Sequence, residues 1–161
     1  MKKVYYLIIA VIVLSSCATS APKDDYPVFY KKYKHNENVV NFGLPTGLIA
    51  SFLNNKEDKD LKQFLKNVDS FTFFIADDST KALLPILGDY LPKNLYKDVM
   101  IINDNGDKVT FKARESENTI SEIIMLVEEE NSFVVMYIEG DFTYEQMNEL
   151  IKSIDKDKVL D

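Results

Sequence analysis

Ile120-Ser121-Glu122-Ile123-Ile124-Met125-Leu126-Val127, then Glu128-Glu129-Glu130-Asn131, then Ser132-Phe133-Val134-Val135-Met136-Tyr137-Ile138: this stretch decides the fold. Two short runs rich in Ile, Val and aromatic residues flank a polar turn, which is the pattern of consecutive antiparallel strands. Both runs are apolar at odd and even positions alike, so both strands bury two faces, as central strands do.

Working outward, Val109, Phe111 and Ala113 alternate with Lys108, Thr110, Lys112 and Arg114, and the turn Asp104-Asn105-Gly106-Asp107 joins this strand to one over Tyr96 to Ile102. Asn-Gly tolerates the positive φ angles of a tight hairpin. Upstream, Phe71 to Ala76 reads as a fifth strand, and Asp77-Asp78-Ser79 caps a helix ending near Leu91, before Pro92. Pro85 removes a donor, so that helix starts late or kinks. Leu44, Leu48, Ile49, Phe52 and Leu53 fall at helical spacing over Leu44 to Asn54, and Leu61, Phe64 and Leu65 do so over Lys59 to Lys66. These two helices would lie as a lid on the core. Beyond Gly140-Asp141, Thr143 and Gln146 have capping-box spacing for a last helix with Met147, Leu150, Ile151 and Ile154 on its buried stripe. The expected architecture is α+β: an antiparallel sheet of about five strands with three to four helices packed mainly on one face.

The chain has 161 residues, 46% of them hydrophobic, which is enough for one core. Its 26 acidic and 19 basic residues give a formal charge of -7. That balance excludes the positive excess that a phosphate backbone requires, so no nucleic-acid partner is expected. The single cysteine, Cys17, has no disulfide partner and no basic neighbour in residues 14 to 22 to lower its pKa.

Lys2 and Lys3, the apolar run Val4 to Leu14, and the small residues Ser15 and Ser16 stand in the order of a secretory signal. The run is too short for a bilayer core, which takes about 20 residues. Leu14-Ser15-Ser16-Cys17 resembles the lipobox of bacterial lipoproteins. The resemblance implies cleavage before Cys17, diacylglycerol on its thiol, and an acyl chain such as palmitate on the new amino group. Several acyl chains anchor a protein stably where one is marginal. Ala18 stands where an aspartate would resemble an inner-membrane retention signal, so outer-membrane delivery is favoured. Lys23-Asp24-Asp25 resembles surface-export tags but lies further from the cysteine, and a charged tether explains it equally well. Once cleaved, the chain carries 17 basic and 26 acidic residues. Anionic headgroups would repel that charge on average, leaving the lipid to anchor the protein.

The sequence therefore divides into a leader over 1–16, a lipidated flexible tether over 17–38 and one α+β domain over 39–161. A coil as long as the tether reaches about 25 Å. Within it, Tyr26, Phe29, Tyr30 and Tyr33 among Lys31, Lys32 and Lys34 read as an arm packed on the domain, or as a headgroup or partner contact. His35 stands alone as a surface residue.

The run from Ile120 to Ile154 resembles the family of mostly lipidated bacterial proteins known as domain of unknown function 4252. The apolar strand Ile120 to Val127, the acidic turn, the strand closing on Glu139-Gly140-Asp141 and the amphipathic helix after it carry the likeness. The upstream order of elements extends it over most of residues 39 to 155. The resemblance implies no catalytic residues.

The residues themselves point the same way. The turn at Gly106 lacks the spaced oxygen donors of a calcium loop, and the carboxylates of Glu128-Glu129-Glu130 point apart, so no metal is expected. One His, no Gly-x-Ser-x-Gly and no glycine-rich phosphate loop argue against an enzyme, and the only cofactor expected is the covalent lipid on Cys17. Helices on one side leave the other side of a two-sided sheet uncovered. Phe74, Ile124, Leu126, Val134, Met136 and Ile138 are the candidate interaction face, for an envelope protein, a second copy or a lipid-like ligand, unless loops and the aromatic arm cover it. Which alternating set faces outward stays open. A cavity lined by Phe71, Phe73, Leu87 and Met147 would indicate a carrier of a small apolar molecule, and a flat apolar patch an interaction module.

Overall fold

The computed structural model describes residues 25–52, 59–104 and 106–156. In chain order the elements are α1 (Tyr26–Tyr33), β1 (Val39–Gly43), α2 (Thr46–Phe52), α3 (Lys59–Leu65), β2 (Val68–Ala76), α4 (Leu83–Asp89), β3 (Tyr96–Asp104), β4 (Asp107–Ser116), β5 (Thr119–Glu128), β6 (Phe133–Phe142) and α5 (Tyr144–Lys156). The strands form one sheet in the order β1-β2-β6-β5-β4-β3. Every neighbouring pair is antiparallel. β3 to β6 are a meander, and β6 returns beside β2.

Among the described residues the sheet has six strands, not five. The additional one is β1, Val39-Val40-Asn41-Phe42-Gly43, which pairs only with β2 and forms an edge. An edge strand of five residues has too short a pattern to be read by alternation.

Residues opposite one another across a ladder share a face of the sheet. Leu126 faces Val135, which faces Phe74, and these belong to a first core with Tyr26 and Phe29 of α1 and Leu83 and Leu87 of α4. Ala113 faces Ile123, which faces Ile138, and these belong to a second core with Phe64 and Leu65 of α3 and Met147 of α5. Helices thus cover both faces in three layers, which corrects the expectation of cover on one. Strands apolar on both sides require it, because each buried large apolar side chain stabilises the fold by about 1.5–3 kcal/mol.

The expected boundary at residue 39 also moves. Residues 26–33, read as part of the tether, are the helix α1, with Tyr26 and Phe29 fully buried. Their spacing puts two rings on one side of a single turn, and the sheet supplies the apolar surface that makes so short a helix stable.

Local chemistry explains the other ends. Pro85 sits in the first turn of α4, where its missing N–H costs no helical bond, so the helix starts late. At the β3–β4 turn Asp104 pairs with Asp107, and Gly106 has a φ of 105°, which favours glycine. Before α5 the Gln146 N–H donates to Thr143 Oγ1 at 3.2 Å and the Thr143 N–H to Gln146 Oε1 at 2.9 Å, a reciprocal cap. Leu53 and the side chains of Phe52, Leu61, Ile151 and Ile154, placed on buried stripes from sequence, lie outside the described residues.

Candidate functional site

Leu14, Ser15, Ser16 and Cys17 lie outside the described residues. The candidate face over Phe74, Ile124, Leu126, Val134, Met136 and Ile138 divides between the two sides of the sheet. Phe74, Ile124 and Leu126 are buried in the first core under α1 and α4. Val134, Met136 and Ile138 point to the second face, where Ile138 is buried under the helices. The alternation along each strand is as read, but the register across the β5–β6 turn sets Ile124 opposite Tyr137 and Met125 opposite Met136. A slip of one residue exchanges the faces, and the hydrophobic pattern of a two-sided strand does not reveal it.

The same division leaves no shared cavity among Phe71, Phe73, Leu87 and Met147, the set whose cavity would have indicated a carrier. Leu87 belongs to the first core, whereas Phe71 and Met147 belong to the second and Phe73 points to that side, so the sheet separates them. The first face instead has an open cleft of about 530 Å³ beside α4, whose lining includes Leu84, Leu87, Leu91 and Leu126 together with Lys93, Lys112 and Glu128.

On the second face, register assembles two apolar rungs that cross all six strands. One runs Val40, Ile75, Val134, Val127, Val109, Ile102, and the next runs Phe42, Phe73, Met136, Met125, Phe111, Met100. No polar side chain interrupts either. Val109 and Phe111 on β4, next to the β3 edge, are buried, the other strands' rung residues up to β2 are half-buried, and at the β1 edge Val40 is 60% and Phe42 41% exposed. The Phe42 and Phe73 rings stack at 4.8 Å. The stripe is thus open only toward the β1 edge, and of the candidate face read from sequence only Val134 and Met136 lie on it.

A polar cluster fastens the start of α1 to the sheet. Arg114 of β4 donates to Glu122 Oε1 at 2.7 Å and to Asp25 Oδ2 at 3.1 Å. Tyr96 Oη donates to Glu122 Oε2 at 2.7 Å and accepts the Tyr26 N–H at 3.3 Å. Glu122 is only 8% exposed, and a carboxylate at that depth requires such pairing. Burial pushes the Tyr26, Tyr96 and Tyr137 hydroxyls above their ordinary pKa, and the Glu122 carboxylate pushes Tyr96 and Tyr137 further. Arg114 and Glu122 are ladder partners. Glu122 inside an apolar run was the sequence signal for this cluster, and register was needed to find its partner.

Among the described residues no group of three or more His, Cys, Asp or Glu side chains is placed to hold a metal ion. No helix among them is long and apolar enough to cross a membrane.

A family model described as domain of unknown function (DUF4252) matches residues 33–150. The match spans β1 to β6 and begins at the last residue of α1. No curated protein and no solved structure matches the chain.

Proposed function

From the fact that the chain belongs to the DUF4252 family, we propose that it is a lipid-anchored, non-catalytic interaction module of the bacterial cell envelope, docking partners on the apolar stripe of its second face. The observation that carries this reading is the unbroken pair of apolar rungs, exposed at the β1 edge. An apolar strip of this kind favours protein contact over substrate chemistry, because it offers area and no nucleophile or acid–base pair. Anchoring is supported by Leu14-Ser15-Ser16-Cys17 behind a compact leader, and outer-membrane placement by Ala18. The partner is an envelope protein or a second copy, and no metal, nucleic acid or cofactor beyond the lipid on Cys17 takes part.

The test combines two substitutions in intact cells. Cys17→Ala abolishes palmitate incorporation and moves the protein out of the membrane pellet; retention without label would mean that the leader itself is the anchor. A photo-crosslinking residue at position 42 gives a discrete adduct that the same residue at position 118, in the β4–β5 turn, does not. Equal yields at both positions overturn the docking surface.

The cleft beside α4 favours a second reading, carriage of a small apolar molecule. Under it, protein purified without detergent carries a stoichiometric ligand that Leu87→Trp expels, and position 42 gives no adduct.

A further inference from the structure

We propose that the outer side of α1, with Val28, Lys31 and Lys32 and the following Lys34, rests on the headgroups of an anionic bilayer, so that the first face of the sheet is turned to the membrane. This rests on the reading of Cys17 as the lipidated residue. The first ground is distance. Asp25 is bonded to Arg114, and the next residue, Tyr26, is buried in the core, so the chain leaves the domain at a fixed point. Eight residue steps separate Asp25 from Cys17. Whatever path they take, they span at most about 28 Å, and a coil of that length spans about 16 Å. A tether of 21 steps, from Cys17 to Asn38, would let the domain turn any side to the bilayer. A leash of this length holds the start of α1 near the surface, with the layer of α1 and α4 and then the sheet between the bilayer and the apolar rungs.

The second ground is charge. α1 and its C-cap carry Lys31, Lys32 and Lys34, the N-cap carboxylate of Asp25 is paired with Arg114, and α4 beside it carries only Asp89. In a cleaved chain of 17 basic and 26 acidic residues this side is locally basic. The third ground is the helix itself. Tyr26, Phe29, Tyr30 and Tyr33 pack on the first core, while Val28 is 37% exposed and Lys31 and Lys32 are exposed on the side away from it. Lys32 donates to Tyr90 Oη at 3.3 Å, and Lys34 lies over the Tyr30 ring at 5.6 Å. Lysines seated on tyrosine rings present their charge at the level where an interfacial aromatic sits. Surface lysines near a bilayer add to an acyl anchor, and salt weakens them.

Because lipidation consumes the Cys17 sulfur, one introduced cysteine is the only free thiol of the mature chain. Lipidated full-length protein labelled with a fluorophore through Val28→Cys or Val40→Cys is reconstituted into phosphatidylcholine vesicles, with and without phosphatidylglycerol, carrying a headgroup-attached quencher. The expected result is quenching at position 28 at least about two-fold greater than at position 40 when phosphatidylglycerol is present, with the ratio falling toward one in Lys31→Glu/Lys32→Glu or in high salt. Equal quenching at both positions, or greater quenching at 40, overturns the orientation. A ratio indifferent to phosphatidylglycerol and to the double substitution overturns the headgroup contact. Palmitate on Cys17 accompanying either result leaves the anchor intact, whereas a chain that takes up no lipid overturns the anchor and the orientation together.

Discussion

At Gly140 an added Cβ would overlap the Asn67 carbonyl oxygen and stand 2.6 Å from Phe142 Cζ. That carbonyl accepts the Asp141 N–H at 3.1 Å, and Asn67 Nδ2 donates to the Asp141 carbonyl at 3.0 Å. Two backbones therefore touch where α3 hands over to β2 and β6 ends, and neither can give way by turning a side chain. Gly140→Ala should lower stability by about 2 kcal/mol in a urea melt. An unchanged midpoint would mean that the end of β6 shifts freely. In the sequence Gly140-Asp141 reads as the turn after a strand, yet β6 continues through Phe142. A glycine within a strand marks close backbone approach as readily as a turn, and only the position of Asn67, 73 residues earlier, decides which.

α1 shows what an element owes to its surroundings. Eight residues are too few to hold a helix in water, so its stability comes from the rings it buries. Phe29 is fully buried and lies 5.2 Å from the Phe74 ring, and Tyr26 stacks on Tyr137 at 4.8 Å. Phe29→Ala should destabilise the domain by about 3–5 kcal/mol, with trypsin cutting at Lys31 and Lys32 under native conditions. Resistance to trypsin equal to that of the parent would show that α1 holds without this ring. The aromatic cluster at positions 26, 29, 30 and 33 was readable as an arm packed on the domain, as it is, but eight residues without a sustained period did not reveal that the arm is a helix. The strongly periodic elements, such as β4 and the capped start of α5, were legible because their own residues fix both pattern and boundary.

For the molecule as a whole, the two-sided strands announced that both faces needed cover, but which helices go to which face depends on chain crossings that no local pattern records. The large-scale consequence of the first core lies in its tyrosines. Tyr26, Tyr96 and Tyr137 are raised by burial, so the folded chain keeps three protons that the unfolded chain releases near pH 10. Stability is therefore fully present below about pH 10 and falls above it, by roughly 1.4 kcal/mol per pH unit for each tyrosine. Urea midpoints at about pH 9 and pH 11 check this, and coincident values would mean that these hydroxyls ionise without unfolding. The place of β2 in the sheet has another result. Its neighbours are β1 and β6, the first and the last strand among the described residues. A chain emerging from the ribosome amino end first holds the β1–β2 pair, joined through α2 and α3, with one edge of β2 unsatisfied until residues 133–142 arrive, and α1 waits for the same strands. The nascent domain therefore has no stopping point short of completion, and a ribosome stalled before β6 should leave a protease-sensitive chain.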